Sequence, residues 1–223
     1  MKILFIGNSF TFYNAMPGFL KRIAYGEGER IDVDSVTFGG YRLSLHSDIT
    51  TEDGKYTDEK LRSEKWDYVV LQGQSSEPAL ERESFLKAAR DMCERIKKLG
   101  AKPVFYQTWS YYDGSDKLKA SGMSYSELYN KLKDGYFYAA KENGGILVPV
   151  GDIFYKNCKP HGDMEFICSD NYHPTQIGSY TAAVCFYRSL FKVKKTEHWH
   201  HPNISDEEAM LVWELTKDIN CKV

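Results

Sequence analysis

Apolar positions along this chain follow two rhythms. Short runs rich in β-branched and aromatic residues fall at 3–7, 31–38, 67–72, 103–108 and 146–150, the pattern of buried strands. Between them lie longer stretches of helical period, at 17–25, 79–99, 125–142, 175–191 and 206–219. The stretch 79–99 is the clearest: Phe85, Ala88, Ala89, Met92, Cys93 and Ile96 recur at three and four residues and share one face, and Gly100 stops the run. Asn143-Gly144-Gly145 ends the helix before it. Strands alternating with helices predict a parallel sheet covered on both faces. Residues 41–66 show no apolar period and many charges, so an irregular excursion is expected there, and 110–124 is rich in turn formers.

Composition narrows the class. With 223 residues, 42% of them hydrophobic, the chain can bury one sizeable core, and a single domain over 1–223 is expected. A formal charge of -2 with no basic stripe excludes nucleic acid as an expected partner. No apolar stretch approaches the roughly 20 residues of a membrane helix, so no membrane partner is expected either. Five cysteines with no CxxC pair suit a reducing compartment. The first apolar run is too short for a signal peptide, and the expected location is cytoplasmic.

In an open parallel sheet, chemistry gathers beyond the carboxyl ends of the strands, where strand order reverses. The first strand ends in Gly7-Asn8-Ser9, the second in Gly39-Gly40, the third in Gln72-Gly73-Gln74-Ser75. Ser9 is either the cap of the next helix or a nucleophile. Far downstream, Asp170-Asn171-Tyr172-His173-Pro174 puts a carboxylate three residues before an imidazole, and Pro174 keeps His173 out of a helix and suits the first turn of the next one. Asp170 can then fix the tautomer of His173 so that the other ring nitrogen accepts a proton. The plain alternative makes them a turn residue and a surface side chain.

Together these blocks resemble the SGNH, or GDSL-like, hydrolase family. Gly7-Asn8-Ser9 stands where that family has G-D-S, Gly40 matches its second-block glycine, Gln72-Gly73-Gln74-Ser75 falls on G-x-N-D with Gln74 in place of the asparagine, and Asp170 to His173 matches D-x-x-H unchanged. "GNS" with "LQxQS" looks like a divergent bacterial branch. The resemblance implies a three-layer α/β/α fold with a flavodoxin-like five-stranded parallel sheet. It implies catalytic Ser9, His173 and Asp170, with an oxyanion hole formed by the Ser9 and Gly40 amides and the Gln74 side chain. It also implies an esterase that needs no cofactor or metal. No G-x-S-x-G elbow occurs, which argues against the α/β-hydrolase arrangement.

Gln107 and Trp109 end the fourth strand beside this mouth, and Tyr41 follows the second block, so all three are read as substrate contacts; packing is the alternative for Trp109. His46 either lines the site or braces the excursion. His198-Trp199-His200-His201 is read as a solvated loop, since neighbouring histidines do not converge readily on one ion. Tyrosines on the strand-end loops suit sugar rings, and related hydrolases commonly deacetylate carbohydrates, so the resemblance implies a small-molecule or carbohydrate ester as substrate. A lysophospholipase or thioesterase, and a binding module without turnover, are the alternatives.

Overall fold

The computed structural model describes residues 1–157, 164–193 and 203–219. Five parallel strands, β1 (Lys2–Gly7), β2 (Asp32–Thr37), β3 (Tyr68–Leu71), β4 (Lys102–Tyr106) and β5 (Ile146–Val148), form one sheet in the order β2-β1-β3-β4-β5. Lys2 pairs with Asp32 on one side of β1, and Ile3 pairs with Tyr68 on the other. The helices are α1 (Ser9–Phe12), α2 (Met16–Gly26), α3 (Leu43–Ser47), α4 (Glu52–Arg62), α5 (Glu77–Leu80), α6 (Arg82–Lys98), α7 (Asp116–Ser121), α8 (Tyr125–Glu142), α9 (Val150–Asn157), α10 (Gln176–Leu190) and α11 (Asp206–Leu215), with a 3-10 turn at Tyr13–Ala15.

Strand side chains alternate between two cores. Ile3, Phe5, Val70, Val104 and Tyr106 point to the face covered by α2 and α10, where they meet Phe19, Leu20, Ala183 and Phe186. Leu4, Ile6, Val69, Leu71 and Phe105 point to the opposite face and meet Phe85, Met92, Ile96, Tyr136 and Ala139 of α6 and α8. Burial on both faces is why the inner strands read as continuous apolar runs rather than alternating ones. The chain passes from β1 to β2 on one side and returns to β3 on the other. The ends of β1 and β3 therefore flank the switch point, which places Gly7-Asn8-Ser9 and Gln72-Gly73-Gln74 side by side.

The structure corrects the expected elements in five places. Residues 41–66 are not irregular: they hold α3 and α4. In α4 only Gly54, Thr57 and Leu61 are buried, about one per turn, so no apolar stripe marks it; the Thr51 hydroxyl caps it by accepting from the Gly54 amide at 3.1 Å. Residues 110–124 contain α7, which buries only Leu118 and closes at Gly122 with φ +67°. The expected helix 79–99 is two, because Glu81 (φ −124°, ψ 43°) leaves helical space between α5 and α6. Residues at the end of the expected fifth strand start α9 instead. Pro174 lies one residue before the Thr175 cap of α10, not in its first turn.

Candidate active site

The turn after β1 is built by Asn8 and Gln72. Asn8 is the helix cap: its Oδ1 accepts from the Phe10 amide at 3.1 Å, which leaves the Ser9 hydroxyl uncommitted to capping. Gln72, fully buried at the end of β3, accepts from the Asn8 amide and the Thr11 hydroxyl, both at 2.9 Å, and donates to Asn8 Oδ1 at 3.0 Å. Gly7 makes room for it, since a Cβ there would lie 2.5 Å from Gln72 Oε1. The Asn8 amide group also donates to the Tyr41 carbonyl at 2.9 Å, tying the second block to the first. Asparagine is thus no neutral exchange for the family's aspartate, because a carboxylate cannot donate to a carbonyl. Asn8→Asp is expected to lower stability by about 1–3 kcal/mol by leaving Tyr41 O unpaired beside a charge; an unchanged urea midpoint would deny Asn8 this role.

His46 sits behind this turn rather than in the mouth. It is fully buried, its Nε2 donates to the Gly7 carbonyl at 2.9 Å, and Nδ1 faces the Thr57 hydroxyl at 3.0 Å. Burial pushes its pKa down to about 4, so the ring is neutral and braces β1 against α4.

The second half of the site is a tight loop before α10. Asp170 Oδ1 accepts from the amides of Tyr172 at 3.1 Å and His173 at 2.9 Å, Oδ2 lies 2.7 Å from His173 Nδ1, and Asn171 adopts φ +65° to let the chain turn. Burial by itself would raise the Asp170 pKa. The His173 and Tyr172 amides and the imidazole together outweigh it and hold the carboxyl below its ordinary value. Because the carboxylate only accepts, Nδ1 carries the hydrogen and Nε2 presents its lone pair, 2.9 Å from Ser9 Oγ.

The imidazole is held on its faces as well. The Tyr13 ring stacks on it at 4.3 Å and 3°, and the Tyr172 ring approaches at 4.1 Å. Asn14, in left-handed conformation at φ +53°, donates to the carbonyls of Pro174 (2.9 Å) and Thr175 (3.0 Å) and reaches Ser179 Oγ at 2.9 Å, locking the turn after α1 to the histidine loop.

The candidate oxyanion donors lie in the segments that follow β1, β2 and β3, neighbouring strands of the sheet. Ser9 occupies the first position of α1, where an amide has no partner within its helix. Gly40 is exposed with φ +67°; the conformation, not crowding, calls for glycine, since a Cβ there would meet nothing within 4 Å. Gln74 is partly exposed. Its Oε1 accepts from the Ser76 amide at 3.2 Å, so Nε2 is the free end, with only a 3.5 Å contact to Ser75 Oγ.

Two of the expected substrate contacts are corrected. Trp109 is 1% exposed, stacked between Phe10 (4.5 Å) and Phe154 (4.3 Å), and its Nε1 donates to the Tyr172 carbonyl at 2.9 Å, so it supports the histidine loop from below. Gln107 is fully buried and donates to Asp152 at 2.7 Å. Neither can touch substrate without unpacking the core. Tyr41 keeps part of its ring exposed while its hydroxyl donates to Asp53 at 2.7 Å. Asn14 and Glu77 escaped the sequence reading, marked only by their place next to the matched blocks, and Gln72, the first residue of the third block, was given no role there. Among the described residues no three His, Cys, Asp or Glu side chains converge as metal ligands, and His198 to His201 lie outside those residues. No described helix is long and apolar enough to cross a membrane.

The profile of the family described as a domain of unknown function, DUF4886, matches residues 2–217. No curated protein matches the chain. A candidate SGNH hydrolase from Slackia heliotrinireducens is 33% identical and superposes with a TM-score of 0.72, covering 83% of this chain and 96% of its own. A DUF4886 family protein from Bacteroides uniformis ATCC 8492 superposes at 0.81 with 22% identity, over 97% of this chain and 93% of that one. An acetyl xylan esterase from Geobacillus stearothermophilus shares the fold, at a TM-score of 0.60 and 15% identity, over 84% of this chain and 93% of that one. Sequence profile, the Slackia relative and the five-stranded architecture agree: the chain belongs to the DUF4886 family, a divergent branch of the SGNH hydrolases.

Proposed function

We propose that this protein is a serine esterase that removes a small acyl group, acetyl, from a carbohydrate. The observation that carries the reading is the line Ser9 Oγ to His173 Nε2 at 2.9 Å and His173 Nδ1 to Asp170 at 2.7 Å: a hydroxyl, a base facing it, and a carboxylate orienting the base. In the first step Ser9 Oγ bonds to the ester carbonyl carbon as its proton passes to Nε2. Charge on the carbonyl oxygen is met by the Ser9 and Gly40 amides and Gln74 Nε2. The carbon–oxygen bond to the sugar then breaks, and the leaving alkoxide takes the proton from Nε2. Water, activated by the same nitrogen, repeats the sequence on the acyl-enzyme and releases acetate. Every proton is handled by side chains of this chain, so the reaction calls for no cofactor or metal.

The preference for a short acyl group and a sugar rests on the surroundings of Ser9. Two cavities of the described structure, about 630 and 680 Å³, lie apart from the nucleophile: they are lined by residues such as Lys133, Ile153, Met210 and Trp213 and by none of the block residues. What flanks His173 is flat and aromatic: Tyr13, Tyr172 and, close by in the chain, Phe12, 42% exposed. Such rings suit the apolar faces of sugars. An enzyme with an acyl tunnel gains about 0.8 kcal/mol per methylene, roughly fourfold in kcat/KM for each. Here kcat/KM should fall from p-nitrophenyl acetate through butyrate to octanoate, and acetate should be released from an acetylated oligosaccharide. Octanoate preferred, with no release from the sugar, would favour the lysophospholipase or thioesterase reading. No hydrolysis of any ester would favour a binding module.

A further inference from the structure

Glu77 is a carboxylate with no evident reason to be buried. It is 0% exposed, at the start of α5, and Arg42, the arginine nearest to the segment it touches, pairs with Glu81 instead. Among the described residues its side-chain partners are three backbone amides. Oε2 accepts from Leu43 at 2.8 Å and from Gln74 at 2.9 Å, and Oε1 accepts from Ser44 at 3.1 Å. The Glu77 amide returns the bond by donating to the Gln74 carbonyl at 2.7 Å. One side chain thus grips two segments of chain, 33 and 34 residues away on one side and three on the other.

Those two segments carry two of the three oxyanion donors in the reading above. Leu43 follows Gly40 by three residues, and Gln74 is itself a donor. The third donor, the Ser9 amide, joins the same frame through the Asn8 bond to the Tyr41 carbonyl, between Gly40 and Leu43. By occupying the Gln74 amide, Glu77 also leaves the side-chain Nε2 as the free donor of that residue. An oxyanion hole works only if its donors are fixed where the charge develops, because donors that must move into place lose what they gain by bonding. A carboxylate accepting three N–H bonds is a stiffer link than a neutral group, since charge-assisted bonds are roughly twice as strong.

We propose that Glu77 is a positioning residue that sets the spacing between the Gly40 and Gln74 donors. The proposal rests on the esterase reading of the site. It is tested by a double-mutant cycle of Glu77→Gln and Gln74→Ala on hydrolysis of p-nitrophenyl acetate, with wild type and Ser9→Ala run beside it. A glutamine at 77 keeps the volume and one acceptor but turns an N–H group toward the amides. Gln74→Ala should lower kcat by about 10² to 10³. Glu77→Gln should lower it about 10- to 50-fold with KM within about threefold, and by a clearly smaller factor, about three- to fivefold, once Gln74 is already alanine, because only the Gly40 donor is then left for Glu77 to place. Activity is referred to the folded fraction measured by tryptophan fluorescence in urea. Glu77→Asp, which keeps the charge but is one methylene short, should fall between wild type and Glu77→Gln.

Equal losses from Glu77→Gln in both backgrounds would overturn the proposal, as would a folded Glu77→Gln with wild-type kcat, or a rise in KM alone. An inactive wild type, or an active Ser9→Ala, would overturn the site reading and Glu77 with it. An active, Ser9-dependent wild type with additive losses would overturn Glu77 alone.

Discussion

Ser9→Ala is expected to lower kcat for a short acyl ester by about 10⁵ to 10⁶, while the circular dichroism spectrum and urea midpoint stay those of wild type. The separation of activity from stability follows from who caps the helix after β1. Asn8 performs that task, and among the described residues the Ser9 hydroxyl is bonded only to His173 Nε2. Alanine at the first helical position removes the attacking atom and little else. Retention of a tenth of the wild-type rate would mean that another group attacks, or that water is activated directly, and the esterase proposal would fall.

Asp170→Asn is expected to cost about 10⁴ in kcat, less than the loss of Ser9. Asparagine still offers one oxygen to the Tyr172 and His173 amides, so the loop keeps its turn. Its NH₂ then faces His173 Nδ1. That nitrogen becomes the acceptor, the hydrogen moves to Nε2, and Ser9 is met by a donor that cannot take its proton. Nitrogen-15 shifts of the imidazole would report the exchanged tautomer; turnover within tenfold of wild type would exclude Asp170 as the orienting group. Because the folded Asp170 carboxyl lies below its ordinary value, its contribution to stability is present above about pH 4 and lost only as pH falls through the folded-state pKa.

The two halves of the site differed in how readable they were. Asp170 and His173 are three residues apart, and local turn chemistry at Asn171 together with Pro174 suffices to bring carboxylate and imidazole together. Ser9 was ambiguous, because a serine after a strand reads equally as a cap. Asn8 resolves it, yet its second bond, to Tyr41, depends on a segment that sequence pattern left without structure. The helices α3 and α4 are silent in sequence for the same reason that they matter: they bury few side chains, among them His46, which works as a polar brace rather than as part of an apolar stripe. Trp109 misled in the opposite sense. Its place at a strand end pointed to substrate, and only the rings of Phe10 and Phe154 on either side of it show that it is core.

By itself the sequence determined the five strands, the alternation that makes the sheet parallel, the loops that carry the candidate chemistry, and the pairing of Asp170 with His173. Each of these is a matter of local period, burial or short-range turn geometry, and so is written in neighbouring residues. The tertiary structure decided which polar groups meet across the chain. Ser9 reaches His173 over 164 residues, Asn14 reaches Ser179 over 165, and Glu77 joins Gln74 to a helix start 34 residues away. Those meetings require α2 and α10 to pack side by side on one face of the sheet and α3 to fold over the end of β1. A donor carries no mark in sequence of the acceptor it will find. That is fixed only when packing removes water from both and leaves each the other as partner.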